Sequence, residues 1–200
     1  MFRRSLSCVL ALLCIVLSGC DETDAVAIRI RLRPDFGGTV TTSALETPPS
    51  SGAVADATQG AEWDARVHVA CASGKFESLS ALRVADVAFQ AGEAGEGLCF
   101  VKVTLPRGPA IRWAQALVPL TMEERARAAA ALDPTGKARD VGATVKFEVE
   151  LPANVIGNGL SSKPRGTKAK SDGSLATLIV PTEIALAEGD AIVWHLTWQK

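Results

Sequence analysis

Alternation of apolar and polar residues is the clearest pattern in this chain, and it predicts β-strands. In Ala25–Arg33 the residues Val26, Ile28, Ile30 and Leu32 alternate with three arginines. A strand of this kind buries one face and exposes a charged one, as in antiparallel sheets. Further strands are predicted over Thr39–Leu45, Trp63–Ala72, 85–89, Leu98–Leu105, Val145–Leu151, Leu175–Val180 and Ala191–Trp198.

Helical signals are few. Thr121 and Glu124 form a capping box before a run rich in alanine, which predicts a helix. A second, shorter helix is predicted around Ser78–Arg83, whereas the residues of Asn154–Ser174 are those of a loop. We therefore predict a single α+β domain over residues 25–200, with an antiparallel sheet of about seven or eight strands and one or two helices.

The first twenty residues differ from the rest. Arg3 and Arg4 precede an apolar run, Leu6–Leu17, that is shorter than the roughly 20 residues of a membrane-spanning helix. Such a segment is typical of a secretory signal. The run ends in Leu17-Ser18-Gly19-Cys20, which resembles the lipobox of bacterial lipoproteins.

The lipobox resemblance implies that residues 1–19 are a signal peptide, cleaved before an acylated Cys20. Two or three acyl chains make a stable membrane anchor on the extracytoplasmic side, and residues 20–24 leave a tether of roughly 14 Å at most. In a Gram-negative cell, Asp21 resembles the signal that retains a lipoprotein at the periplasmic face of the inner membrane. The alternatives are an uncleaved signal anchor and an ordinary secretory signal with an accidental cysteine.

Composition narrows the function classes. The chain has 21 Lys and Arg against 22 Asp and Glu, a formal net charge of −1. This balance argues against a nucleic-acid binder that works by neutralising phosphates. Two histidines and five cysteines leave little material for a metal site, so we expect neither a metal nor another cofactor.

Cysteine usage suggests a disulfide. Cys8 and Cys14 would leave with the signal peptide and Cys20 would be acylated, so only Cys71 and Cys99 remain. A two-residue period places both on apolar strand faces, in a compartment that favours oxidation. We predict a disulfide that closes a loop of about 27 residues and adds about 3–4 kcal/mol in the chain-entropy account. The alternative is a pair of buried free thiols.

No catalytic signature is present. The mature sequence lacks a nucleophile elbow, a phosphate-binding loop, a zinc-binding His-Glu-x-x-His and an EF-hand loop. His68 and His195 each lie between two apolar residues and are expected on the solvated face of a strand. We therefore name no catalytic residue and expect a protein that is not an enzyme.

The densest charge feature is a candidate site for an anionic ligand. Lys163, Arg165, Lys168 and Lys170 place four cations within eight residues. Near a charged membrane surface each contributes about 1 kcal/mol. No aromatic residue is interleaved, so the run is a poor platform for single-stranded nucleic acid. The alternative is a solvated loop that joins two strands.

A family resemblance completes the prediction. The strand Ile28–Leu32 begins soon after Cys20, the turn region Pro34–Val40 follows, and Phe147–Val155 and Trp194–Trp198 come later. With these stretches the mature chain resembles the LppM-type lipoprotein domain, an extracytoplasmic bacterial family. The resemblance implies an α+β fold and interaction with envelope lipids or glycolipids. We expect a non-enzymatic, membrane-anchored protein that binds an envelope lipid, glycan or protein; the alternative is a structural component of an envelope protein complex.

Overall fold

A computed structural model describes residue 24 and residues 26–46, 68–84, 86–109 and 142–200. These residues form eleven strands, one short α-helix and one 3₁₀ turn. The elements are β1 (Val26–Leu32), β2 (Gly38–Glu46), β3 (His68–Phe76), the 3₁₀ turn (Leu79–Ala81), β4 (Arg83–Val84), β5 (Val87–Gly95), β6 (Leu98–Leu105), β7 (Thr144–Glu150), β8 (Val155–Leu160), β9 (Lys168–Asp172), β10 (Leu175–Pro181), α1 (Thr182–Leu186) and β11 (Ile192–Gln199).

The strands form two sheets. Six strands pair in the order β3-β2-β1-β7-β10-β9, and five pair in the order β4-β5-β6-β11-β8. Neighbours are antiparallel except β1 and β7, which run parallel with Val26 opposite Val145. The first strand of the described residues, β1, therefore lies in the interior of its sheet, between β2 and β7.

Both sheets contribute to one hydrophobic core. The inward residues of β1 and β7 belong to the same buried cluster as those of β6 and β11, so the architecture is a β-sandwich. Trp194, Trp198, Phe89 and Phe147 are among the largest side chains in this cluster. Phe36, in the turn between β1 and β2, packs edge-on against Trp198 of the other sheet with ring centroids 6.1 Å apart. The layers are thus joined by aromatic contacts at this turn as well as through the core.

The structure is richer in strands than the predicted α+β fold. Eleven strands in two sheets replace the expected single sheet of seven or eight, and the described ranges contain one five-residue helix. The helix predicted around Ser78–Arg83 is only a 3₁₀ turn at Leu79–Ala81. Two strands, β8 and β9, lie within the predicted loop Asn154–Ser174. The helix predicted to begin at Thr121 lies outside the described residues.

Candidate functional site

The four predicted cations lie on one continuous stretch of chain, which we call the cationic segment (residues 163–170). It connects β8 of the five-stranded sheet to β9, an edge strand of the six-stranded sheet. Lys163 and Arg165 precede β9, and Lys168 and Lys170 belong to it. All four side chains are exposed. Since Lys168 and Lys170 are two residues apart on a strand, they share its outer face.

The cationic segment is fixed to the sandwich at several points. The amide of Thr167 donates to the carbonyl oxygen of Pro164 at 3.1 Å, and Thr167 itself is buried. Gly166 has φ +81°, and a Cβ there would lie 2.9 Å from Pro181. Ala169 packs against the hydrophobic core. The segment is therefore a braced turn and strand, and its cations project from a defined support.

Several other charges on the outer face of the six-stranded sheet form ion pairs. Arg31 Nε lies 2.9 Å from a Glu150 carboxylate oxygen, and Arg29 lies 3.6 Å from the same carboxylate. Lys146 Nζ is 3.1 Å from Glu148. In contrast, the four cations of the cationic segment form no ion pair or side-chain hydrogen bond within the ranges that the structure describes. Their charge is therefore available to an external anion.

The edge position of β9 offers a structural reason for some of these cations. Lysines on an edge strand discourage pairing with another chain, because such pairing would desolvate and crowd the charges. This accounts for Lys168 and Lys170. It does not account directly for Lys163 and Arg165, which precede the strand. The segment thus carries more positive charge than edge protection requires.

Backbone register relates the cationic segment to the start of the described chain. Ala27 of β1 is opposite Lys146, Lys146 is opposite Ile179, and Ile179 is opposite Lys168. These four residues form one row across the sheet, so β1 begins at the same end of the sheet as β9. Three strand spacings, about 14 Å in all, separate Ala27 from Lys168.

Asp24, two residues before the start of β1, is held at the same end. The Thr144 hydroxyl, at the start of β7, donates a hydrogen bond to the carboxylate of Asp24. Asp24 is half-buried. Asp24, the last residue of the range 20–24 predicted as tether, is therefore in contact with the sheet.

Cys99 is a free and buried thiol. It lies on β6 opposite Trp198 of the five-stranded sheet, whereas Cys71 lies on β3 opposite Ser43 in the six-stranded sheet. The predicted Cys71–Cys99 disulfide is thus not formed in this structure, where Cys99 matches the alternative of a buried thiol. Only the backbone of Cys71 is described.

His195 is exposed, as the alternation of β11 predicts, and its Nε2 lies 2.9 Å from Ser161 Oγ. A hydroxyl and an imidazole at this distance could act as nucleophile and base, but such a pair also needs a group that orients the imidazole and donors for an oxyanion. No carboxylate within the described residues hydrogen-bonds His195. Sequence reasoning missed this pair because Ser161 follows β8, inside a predicted loop. The side chain of His68 lies outside the described part.

No protein-family model, curated protein or solved structure matches this chain. Among the residues covered by the structure, no helix is long and apolar enough to cross a membrane. The same residues contain no group of three or more His, Cys, Asp or Glu side chains placed to hold a metal ion.

Proposed function

We propose that this protein is an extracytoplasmic lipoprotein, anchored through an acylated Cys20, that binds an anionic envelope ligand through the cationic segment without catalysing a reaction. The lipobox at Leu17–Cys20 supports the anchor. The resemblance to the LppM-type domain supports an envelope lipid or glycolipid as the ligand. The observation that carries the binding proposal is a set of four exposed cations on a braced support, none of which forms an ion pair with a described side chain.

The expected affinity follows from the number of cations. At about 1 kcal/mol for each cation near an anionic surface, four cations acting together strengthen binding on the order of 10³-fold. A single headgroup contacts fewer cations and gains less. Because exposed charges are screened within about 8 Å at physiological salt, binding should weaken as salt is raised.

The anchor is tested by mass spectrometry of the protein extracted from membranes. We expect a chain that begins at Cys20 and carries diacylglycerol on the cysteine sulfur. An unmodified Cys20 with residues 1–19 still attached would contradict the proposed anchor and location.

Ligand binding is tested on the full protein in neutral detergent. The probes are dihexanoyl phosphatidylglycerol, which is anionic and monomeric, and its neutral phosphatidylcholine counterpart. We expect phosphatidylglycerol to bind and phosphatidylcholine not to. Combined substitution of Lys163, Arg165, Lys168 and Lys170 by Gln should weaken phosphatidylglycerol binding by about tenfold or more.

A matched control removes positive charge elsewhere. Lys75 is exposed on β3, the opposite edge strand of the same sheet, and Lys102 is half-buried on the five-stranded sheet. The variant K75Q/K102Q should bind phosphatidylglycerol as the natural protein does. The control removes two charges and the first variant four, so a loss of binding free energy about half as large in the control would mean that only net charge matters. No loss in the first variant would show that the cationic segment is not the site.

A further inference from the structure

We propose that the cationic segment rests on the headgroups of the same bilayer that holds the acyl chains of Cys20. This inference depends on the proposed function and names its ligand: anionic phospholipid in the protein's own membrane, rather than a free phosphate-bearing molecule. It follows from where the segment lies relative to the anchor.

The anchor attaches at the end of the sheet where the cationic segment begins. The row from Ala27 through Lys146 and Ile179 to Lys168 crosses the six-stranded sheet at the start of β1. Asp24 is held at this end by Thr144. We call this end, formed by Asp24, the first residues of β1 and β7 and the start of β9, the anchor end. The cationic segment thus enters β9 about 14 Å to the side of the anchored strand.

The tether is too short to let the domain turn over. From Cys20 to Asp24 the chain spans at most about 14 Å. The seven residues of β1 are about 23 Å long, so the tether cannot bring the far end of the sheet to the bilayer as easily as the near end. The anchor end therefore faces the headgroups, and its cations stay near them.

Acidic and basic side chains both lie near the anchor end, and their sign decides which of them an anionic membrane attracts. Glu183 on α1, and Glu188 and Asp190 before β11, are exposed on the connection between the two sheets. They carry the charge that an anionic membrane repels. The cations instead lie along the β9 edge. An anionic bilayer therefore favours contact through Lys163, Arg165 and the β9 lysines over contact through these acidic residues.

Anchoring also explains how the exposed cations of the cationic segment could hold a ligand that they bind only weakly. Exposed cations on a turn and a strand edge hold a free anion weakly, because each contact is solvated and screened. An anchored domain meets its own membrane as an intramolecular partner, with an effective concentration in the millimolar range. Weak contacts are then populated without a deep pocket. This favours the bilayer over a soluble ligand as the occupant.

The test measures the reactivity of lysine amines in the full acylated protein, reconstituted into nanodiscs. The discs contain phosphatidylcholine alone or mixed with phosphatidylglycerol. A short pulse of acetylating reagent is followed by peptide mass spectrometry. We expect acetylation of Lys163, Lys168 and Lys170 to slow by roughly threefold or more in the anionic discs. High salt should remove the protection. Lys75, on the opposite edge of the same sheet, is the internal control and should react equally in both discs.

A third sample separates this inference from the proposed function. Dihexanoyl phosphatidylglycerol is added to protein in phosphatidylcholine discs. Protection by this free lipid without protection in the anionic discs would overturn the membrane contact and leave anionic-ligand binding intact. Protection in neither sample would contradict both proposals. Equal protection of Lys75 in the anionic discs would also overturn the inference, because the contact would then not be specific to the β9 edge.

Discussion

A hydrogen bond between β8 and β11 gives the sharpest stability prediction. Trp194 is fully buried, and its Nε1–H donates to Asn158 Oδ1 at 2.8 Å. Substitution N158A removes this acceptor and leaves a buried donor unsatisfied, at a cost of about 1–3 kcal/mol. For a domain of this size, a loss of about 2 kcal/mol lowers the melting temperature by about 4–8 °C.

A double-mutant cycle isolates this bond from the other contacts of Asn158. In a W194F background there is no donor to leave unsatisfied. The further loss of unfolding free energy caused by N158A should therefore fall to about 0.5 kcal/mol or less. Urea unfolding followed by the fluorescence of the remaining tryptophans measures all four proteins. Equal costs of N158A in the two backgrounds would refute the reasoning, because the penalty would then come from packing or from β8 itself.

Two further predictions concern turns. G166A should destabilise the fold by about 1–2 kcal/mol, because alanine is strained at φ +81° and its Cβ would lie 2.9 Å from Pro181; G159A, where no atom lies within 4 Å, is the control in the same urea titration and should change little. The Arg33 guanidinium and a backbone amide hold the pKa of Asp35 below its ordinary value of 3.8. Asp35 therefore stabilises the fold above pH 3.8, and this contribution is lost as pH falls through the lower folded pKa. D35N should lower the urea midpoint at pH 7 but make little difference at pH 2, and an equal effect at both pH values would contradict this.

Strongly alternating strands were predictable from local pattern. The prediction Leu98–Leu105 matches β6 residue for residue, and β1 and β11 differ from their predictions by one residue at each end. Each of these strands buries every second side chain in the shared core, so the pattern and the packing have the same cause. The parallel pairing of β1 with β7 was not predictable, because it joins segments more than a hundred residues apart.

The strands β8 and β9 could not be predicted because their sequences lack such a pattern. Position 157 in β8 requires glycine, because a Cβ there would collide with the Thr197 hydroxyl of the neighbouring strand. This constraint comes from the neighbouring strand β11, so it produces no alternation of apolar and polar residues in the sequence of β8. In β9 only Ala169 packs on the core, and most of the other residues are polar and exposed because β9 is an edge strand. Of these two missed strands, β8 belongs to the five-stranded sheet and β9 to the six-stranded sheet.

The candidate site was predictable in composition but not in position. The cations were visible as a charge run, whereas their bracing by Thr167 and their place in a row with Ala27 depend on long-range register. The Ser161–His195 pair was hidden for the same reason, because it forms only when β8 lies beside β11.

The central position of β1 has a consequence for biogenesis. Chains are made from the N-terminus, so β1, β2 and β3 emerge early, while one side of β1 remains unpaired until β7 arrives. Closing that gap joins segments far apart in sequence, which is a slow step in folding. Until β7 arrives, a folding molecule therefore has an open strand edge to which a chaperone or a neighbouring unfinished copy could bind.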